Sequence, residues 1–490
     1  MSWRMARLAH RAVFPSILLV TIGLVGILTG AGLAALASPM GRAGPFVVVA
    51  AVLFPLFVLA VARRPRLGVA AVLAVFPVGS LAVPGVPAQL QLVEAAVIAI
   101  ALIVALQRLA LGKGLFAWSP LLWWPVSLIA WMLIAFPLAL DEHLAIRQIA
   151  LFGGGLLLAS VVMTACQTMK DVRFVIGTFM VIMAGIAMVG LVRMGTLEPQ
   201  LAGTRVVGRL TGAFDHPNQL GAVSAMALMV TVGLALGSPI KKFRAVSWAI
   251  IPLLLGSLAL SLSRGAWIGT ALGGAYILIG LRKARRPLVV GTFVLLVLFA
   301  SFSKLPATSL QVEVVGLRLQ ALTSLSPYDA RTAIWGEALK EIREDPWTGK
   351  GPGNFPVASI RAASAAREVF AHHAHNLVLT WAAESGIPAV LLLIGFGVSL
   401  GVTVRRTRSV KRSERDQAVI TGLTAALITT LGQGMVDFTW RNAVVFLSLA
   451  ALTGALIAAA SASSGEEPQG PEMVFGRQKH SVERLRRAPA

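Results

Sequence analysis

Between His216 and Lys241 the chain reads PNQLGAVSAMALMVTVGLALGSPI (217–240), a run of 24 residues without one charged side chain. About 20 apolar residues suffice for a helix to span the hydrocarbon core of a bilayer. The whole chain of 490 residues is 57% hydrophobic and only 13% charged, which is too apolar for an ordinary soluble protein. Only helices and closed barrels satisfy every backbone hydrogen bond in lipid, and these runs are too long for barrel strands. The sequence therefore predicts an all-α polytopic membrane protein.

Similar apolar runs recur along the chain, and we expect twelve to fourteen transmembrane helices. The run from about Val13 to Ala37 is too long for a signal-peptide core and is counted as the first span. The short run at 68–83 also fits a re-entrant or interfacial segment. The predicted spans centre near residues 25, 54, 75, 100, 130, 156, 184, 228, 254, 274, 296, 390, 426 and 451.

The basic residues predict the orientation of these spans. The net charge is +22, but the Lys and Arg residues lie in short clusters between apolar runs, so we expect topology signals and no nucleic-acid partner. If the N-terminus is cytoplasmic, most of the Lys and Arg residues lie on the cytoplasmic side. The predicted parts are N-terminal helices (1–303) with a small outer loop (193–217), a large outer loop (304–375), C-terminal helices (376–460) and a basic cytoplasmic tail (461–490).

The large outer loop carries helix signals. Ser326 and Pro327 read as an N-cap and a first helical position, apolar residues then recur at helical spacing, and Pro346 ends the run. This pattern predicts an amphipathic helix able to lie along the outer membrane surface. A weaker helix is predicted at 356–370. The glycines at 349–353 predict a turn rather than a phosphate loop, because no Lys-Ser/Thr pair follows them.

Three arginines on the predicted outer side are candidate anion ligands. Arg264 lies at the end of two spans joined by almost no loop, while Arg205 and Arg209 lie in the small outer loop. Arginines in such places also snorkel to the interface or stay solvated. Few acids lie near these three, and guanidinium groups bind phosphate in fork geometry. We therefore expect a phosphate or pyrophosphate ligand, such as an anionic lipid head group.

The stretch AHHAHNLVLTW (371–381) holds His372, His373 and His375, three of the seven histidines. Two of them, His372 and His375, lie three apart and on a helix would share a face that could bind a metal, but a third ligand must come from elsewhere. Histidines also cap or pack helix starts. We favour a general base, because the imidazole pKa lies close to ambient pH. No metal and no cofactor are expected.

These residues resemble the O-antigen ligase family, part of the superfamily of O-antigen ligases and polymerases. The resemblance is tightest from about Gly203 to Pro388. It rests on Ser-Arg-Gly-Ala at 263–266, on the stretch 331–355, and on His375-Asn376 followed by Gly386. The family pattern ends in Gly, Thr or Val three residues after that glycine, and here the position is Ala389, a small residue in place of a small one.

The resemblance implies a GT-C type glycosyltransferase of the bacterial inner (cytoplasmic) membrane, active on the periplasmic face without a metal. Its implied partners are an undecaprenyl-pyrophosphate-linked O-antigen donor, a lipid A core acceptor and membrane lipids. Transfer inverts the anomeric centre. By this resemblance His375 is the general base and Arg264 stabilises the pyrophosphate. The further predicted substrate-binding residues are Arg205, Arg209, Arg331, His372, His373 and Asn376.

Other readings share these features. An O-antigen polymerase uses the same donor, but such polymerases often show two comparable outer loops in which an Arg is followed eleven positions on by Gly. The loops here are unequal, and their arginines lack that glycine. A protein-glycosylating relative remains an alternative. A lipid-linked saccharide flippase would place charges near mid-span, whereas these lie at the outer boundary. O-antigen ligase is the favoured prediction.

Overall fold

The computed structural model describes residues 44–79, 91–193, 200–202, 205–207, 209–281, 285, 331–359, 371–409 and 412–462. Its elements in chain order are α1 (Gly44–Arg63), α2 (Pro65–Val75), α3 (Leu92–Ala110), α4 (Trp123–Ala135), α5 (Glu142–Ala165), α6 (Met169–Arg193), β1 (Gln200–Ala202), β2 (Arg205–Val207), α7 (Pro217–Gly237), α8 (Lys241–Leu260), α9 (Arg264–Gly280), α10 (Arg331–Glu344), α11 (Leu377–Ser409), α12 (Glu414–Gly434) and α13 (Ala443–Ser461).

The all-α membrane fold is confirmed. Eight helices of the described residues are long and apolar enough to cross a membrane. Every predicted span centre that falls on a described residue lies in a helix. The centres near 25 and 296 lie outside the described residues. The short predicted span near 75 is an 11-residue helix, α2, followed by one 3-10 turn.

A short hairpin interrupts the helical pattern in the small loop. Strands β1 and β2 pair antiparallel, with Gln200 opposite Val207 and Ala202 opposite Arg205. The sequence analysis predicted no strand here. The hairpin places Arg205 on β2, twelve residues before α7 begins.

Helix α7 forms the centre of the bundle. It packs against α8, α9 and α12. In the 18-residue stretch of α7 that could span the membrane, 94% of the residues are buried inside the protein. An apolar helix buried on all sides needs no polar face, which explains why the stretch 217–240 is apolar throughout.

A turn of three residues joins α8 to α9, as the sequence predicted. Ser263 caps α9, since its Oγ accepts a hydrogen bond from the Ala266 backbone N at 3.3 Å. Leu262 in this turn adopts a φ of 52°. Arg264 is consequently the first residue of α9.

Helix α11 is kinked at Gly386, where φ is 77° and ψ is 175°. The kink frees backbone groups that hold the loop after α10. Ile387 N donates to Pro346 O at 2.9 Å, and Lys350 N donates to Ala383 O at 2.9 Å. Only glycine fits the kink, because a Cβ there would overlap the carbonyl of Trp347. The loop is thereby docked on a membrane helix.

Helix α10 corresponds to the predicted amphipathic helix and ends before Pro346. The predicted cap at Ser326 lies outside the described residues. The apolar face does not lie on the membrane surface: Ile334 and Ala338 are buried against Phe355 and Ala374. The expectation for that face was wrong, because the docked loop supplies apolar partners that the sequence pattern does not reveal.

The two remaining predictions for the large loop have different outcomes. The predicted turn is confirmed, since Gly349, Gly351 and Gly353 have φ values of 64°, 101° and 74°. A helical turn at 355–359 begins where the weaker helix was predicted. Residues 360–370 lie outside the described part of the chain.

Candidate active site

The predicted site residues gather at one end of the bundle, called here the histidine end. It is formed by the starts of α7, α9 and α11, the end of α12 and the connection 435–442 between α12 and α13. His375 immediately precedes α11, and Arg264 opens α9. The structure therefore brings together segments that lie more than a hundred residues apart in the sequence.

The central contact of the site joins His375 to Asp437. The His375 Nδ1 lies 2.8 Å from the Asp437 Oδ1. The aspartate is buried, with 3% of its side chain exposed, whereas 30% of the histidine side chain is exposed. A buried carboxylate thus supports an imidazole that solvent or a substrate can reach.

The charge state of Asp437 fixes the tautomer of the His375 imidazole. Burial alone would raise the pKa of Asp437, but the hydrogen bond from His375 and its electrostatic attraction, with smaller contributions from His373 and Arg331, outweigh it, and the pKa lies below its usual value. An ionised carboxylate can only accept hydrogen bonds, so the His375 Nδ1 carries the proton. In the neutral ring, Nε2 then offers a lone pair. This is the arrangement of an oriented general base.

His373 packs beside this pair. Its ring lies edge-on to the His375 ring with centroids 4.2 Å apart. The His375 backbone N donates to the His373 Nδ1 at 3.2 Å. Burial of the ring, aided by the neighbouring His375, lowers the pKa of His373 to about 3. His373 therefore stays neutral at neutral pH and serves to position its neighbour.

The helical pairing of His372 with His375, considered above as an alternative that could bind a metal, does not occur. Residues 371–376 are not helical, and α11 begins only at Leu377. His375 adopts a φ of 50°, in the left-handed region. This turn brings His373 rather than His372 beside His375, and it leaves His372 exposed.

Asn376 holds the turn in place. Its Oδ1 accepts from Leu379 N at 3.0 Å, which caps α11, and its Nδ2 donates to Met435 O at 2.8 Å. The amide therefore ties the start of α11 to the end of α12. A substrate contact from Asn376 stays a prediction.

The same residues could hold a metal ion. His373, His375 and Asp437 each offer a ligand atom, and these atoms lie within 4.8 Å of one another. Two imidazoles and one carboxylate form a ligand set that suits zinc and similar metals. The Asp437 Oδ2 is buried without a hydrogen-bond partner among the described groups, which fits such a set. The absence of a metal from the reaction stays a prediction.

Arg264 is linked to this centre through the residue that follows it. A Cβ on Gly265 would lie 3.2 Å from the Asp437 Cβ, so the backbone of α9 packs directly on the aspartate. Glycine at this position permits the close approach. The first turn of α9, which carries Arg264, therefore lies beside the partner of His375.

Arg209 reaches the same centre through a chain of hydrogen bonds. Its guanidinium donates to Asn218 Oδ1 at 2.5 Å and to Ser261 O at 3.0 Å. The Gln433 side chain donates to Asn218 O at 3.3 Å, and Asp437 N donates to Gln433 O at 2.8 Å. The small loop, the α8–α9 turn and the aspartate are thus one network.

The structure describes the side chain of only one of the two remaining predicted arginines. Arg331 opens α10, and its charge makes the smallest of the contributions that lower the pKa of Asp437. Arg205 lies on β2 in the small loop. Its side chain is outside the described part, and its role stays a prediction.

A buried ion pair fastens the docked loop to the histidine end. The Glu384 carboxylate accepts from Gly353 N at 3.1 Å and from Phe355 N at 3.3 Å. Arg441 pairs with Glu384 and donates to Gly353 O at 3.0 Å. Because the chain's own carboxylate occupies these backbone donors, the glycine turn is not a phosphate cradle.

An apolar cavity of about 150 Å³ lies among α4, α5, α11, α12 and α13 next to the histidine end. Its lining includes Leu377, two residues after His375, and Trp440, three residues after Asp437. Phe152 and Phe446 line it as well. The site therefore joins a polar rim to an apolar space between helices.

Sequence reasoning missed Asp437, Glu384 and Arg441 as site residues. The available signal was the short connection 435–442, which carries an acid and an arginine between two apolar spans. Nothing in the sequence showed that this connection meets the histidines. The contact depends on how α11, α12 and α13 pack.

Comparison with known proteins gives a family match in this part of the chain. Residues 249–394 match the family model described as O-antigen ligase, a segment that includes Arg264, Arg331 and His375. A solved structure described as "Structural coordination of polymerization and crosslinking by a peptidoglycan synthase complex" is 16% identical. The match covers 70% of this chain and 97% of that chain, with a TM-score of 0.40. No curated protein matches the sequence.

Proposed function

We propose that this chain, whose residues 249–394 carry the O-antigen ligase domain, is an O-antigen ligase. It would move an O-antigen polysaccharide from undecaprenyl pyrophosphate to a sugar hydroxyl of the lipid A core. The observation that carries the proposal is the hydrogen bond of 2.8 Å between the partly exposed His375 and the buried Asp437. That pair, at the end of a membrane bundle, suits deprotonation of an alcohol delivered by a lipid.

In the proposed step, the His375 Nε2 takes the proton of the acceptor hydroxyl as its oxygen attacks the anomeric carbon. The bond from that carbon to the pyrophosphate oxygen breaks, and undecaprenyl pyrophosphate leaves with the electron pair. Attack from the opposite face inverts the anomeric centre. The Asp437 carboxylate stabilises the imidazolium that forms.

The arginines have the complementary role. Pyrophosphate is a good leaving group, so positive charge near the departing oxygens and alignment of the hydroxyl supply much of the rate enhancement. Arg264, at the first turn of α9 beside Asp437, is the proposed partner of the pyrophosphate. Arg209 and Arg331, and by prediction Arg205, support it through the positive potential of the rim.

Two further features support a lipid-linked donor in the inner membrane. The apolar cavity beside Leu377 and Trp440 suits part of a prenyl or acyl chain. Basic residues gather at the opposite end of the bundle, which favours a cytoplasmic side there and a periplasmic histidine end.

The test is transfer by the purified full-length protein in nanodiscs. Undecaprenyl-pyrophosphate glycan is offered with lipid A core or with a second donor molecule, with and without chelator. We expect glycosylated lipid A core. Longer undecaprenyl-linked glycan alone would instead identify a polymerase, and glycan movement across the bilayer without transfer would identify a flippase.

Variants test the residue roles in the same assay. His375→Ala and Arg264→Ala are each expected to lower the transfer rate by about 10² to 10³. Arg343→Ala, an exposed arginine on α10, is the matched control and should retain activity. Activity that disappears with chelator and returns with zinc would make the His373–His375–Asp437 cluster a metal centre and overturn the metal-free base.

A further inference from the structure

A cavity of about 410 Å³ opens at the end of the bundle opposite to His375. Helix α5 shows that the two ends are opposite, because it begins beside Asn354 of the docked loop and ends at Ala165 in the cavity lining. The charged residues of the lining are Arg63, Arg64, Arg66, Arg108, Lys113 and Asp171. We call it the basic cavity.

The one acid of the basic cavity leaves most of the positive charge uncompensated. Asp171 Oδ1 pairs with Arg66 at 2.7 Å, and its Oδ2 accepts from Thr168 Oγ1 at 2.7 Å. Five cations and one carboxylate give a net charge of +4 (5 − 1) in the lining. An anion entering the cavity would therefore meet guanidinium and ammonium donors on several sides.

The basic residues come from two separate segments. Arg63, Arg64 and Arg66 lie at the junction of α1 with α2, while Arg108 and Lys113 lie at the end of α3. Arg108 Nε donates to Gly114 O at 2.7 Å, which orients its guanidinium. Basic residues at helix ends offset carbonyl dipoles, and basic residues mark the cytoplasmic side. Neither effect requires them to converge on one cavity, whereas anion binding does.

Helix α3, whose C-terminal end lines the basic cavity, carries an exposed apolar stripe. It consists of Ile98, Leu102, Leu106 and Leu109, which are between 43% and 59% exposed. Their spacing of four, four and three residues places them on one helix face. By the same spacing the lining residues Gln107, Arg108 and Leu111 lie on the opposite face, so the basic cavity lies on the protein side of a helix whose outer face suits contact with lipid.

We propose that the basic cavity binds the phosphate-bearing head group of an anionic phospholipid. Basic pockets between membrane helices on the cytoplasmic side bind such head groups. The inference is independent of the proposed ligase reaction, because it uses no residue of the histidine end. It assigns a ligand to the Arg63–Arg66 segment, whose positive charge also favours a position on the cytoplasmic side.

Native mass spectrometry of the full-length protein tests this with phosphatidylglycerol and phosphatidylcholine at matched concentrations. We expect the wild type to retain phosphatidylglycerol at least tenfold over phosphatidylcholine. Arg64→Gln/Lys113→Gln removes two exposed charges from the basic cavity and should lower that preference about tenfold or more. Lys241→Gln/Lys242→Gln, at the same end but outside the lining, removes equal charge and should keep it.

Three results would overturn the proposal. The first is equal retention of the two lipids by the wild type. The second is an equal loss in both double variants, which would assign the effect to general surface charge. The third is full displacement of phosphatidylglycerol by millimolar soluble pyrophosphate, which would assign the cavity to a soluble anion. Unchanged thermal unfolding of both variants confirms that each is folded.

Discussion

The His375 Nδ1 and the Asp437 Oδ1 lie 2.8 Å apart, and this contact joins the start of α11 to the connection between α12 and α13. An imidazole alone at a membrane boundary can rotate and change tautomer. The buried carboxylate removes both freedoms. The aspartate therefore has as large a part in the proposed chemistry as the histidine.

Asp437→Asn should lower the transfer rate by about 10² to 10⁴ with little loss of folded protein. The amide keeps the shape but can donate to Nδ1, which favours the tautomer whose Nε2 is protonated. The rate constant and the thermal midpoint are measured together. Asp215→Asn, an exposed acid in the small loop, is the control. A rate near that of the wild type for Asp437→Asn would remove the aspartate from the mechanism.

Glu384→Ala should destabilise the protein by about 3–5 kcal/mol, because it leaves Arg441 without its buried partner. Burial already lowers the pKa of Arg441 to about 10, which shows the cost of its charge there. Thermal unfolding in detergent measures the effect. Glu344→Ala removes a carboxylate that is 51% exposed and should cost under about 1 kcal/mol. Equal effects of the two changes would contradict the stabilising role of the Glu384–Arg441 ion pair.

Gly386→Ala should detach the docked loop from α11. The new Cβ would overlap the Trp347 carbonyl, and the backbone angles at this kink suit glycine alone. We expect a loss of about 1–3 kcal/mol and faster proteolysis of the loop after α10. Gly397→Ala, on the same helix with open space around it, should have neither effect.

Glu341→Gln should change how stability depends on pH. Burial, with the nearby Glu337, raises the pKa of Glu341 from 4.5 to about 8, and both carboxyl oxygens lack hydrogen-bond partners among the described groups. Between these values the folded state holds a proton that the unfolded state has released. Stability therefore falls as pH rises from about 4.5 to about 8, by at most about 1.4 kcal/mol per pH unit.

The glutamine variant should lack this decline. Thermal midpoints between pH 5 and pH 8 measure it. Glu344→Gln, an exposed carboxylate of the same helix, should retain the wild-type decline. A decline of the same size in Glu341→Gln would show that another group titrates.

The fold was largely predictable because each span is a local property of its own residues. The 24 apolar residues at 217–240 predict a helix whatever surrounds them. The kink at Gly386 was not predictable, since it depends on the Trp347 carbonyl that approaches from another segment. The same reason explains why the apolar face of α10 packs on Phe355 instead of lipid.

The candidate site was predictable only in part. His375 and Arg264 stood out because polar side chains next to apolar spans need a reason to be there. Asp437 did not stand out, because a single acid in a short connection has no distinctive spacing. Its position against Gly265 and His375 arises from the packing of three separate helices.

The left-handed backbone at His375, with φ of 50°, has a consequence for substitution. Glycine adopts this conformation freely, so His375→Gly should keep the turn while opening a space of the size of the lost ring. Free imidazole added to that variant should then enter the space beside Asp437 and restore part of the transfer rate, whereas an alanine at this position would strain the turn and respond less. The backbone conformation at residue 375 therefore makes His375→Gly, rather than His375→Ala, the variant whose activity added imidazole should restore.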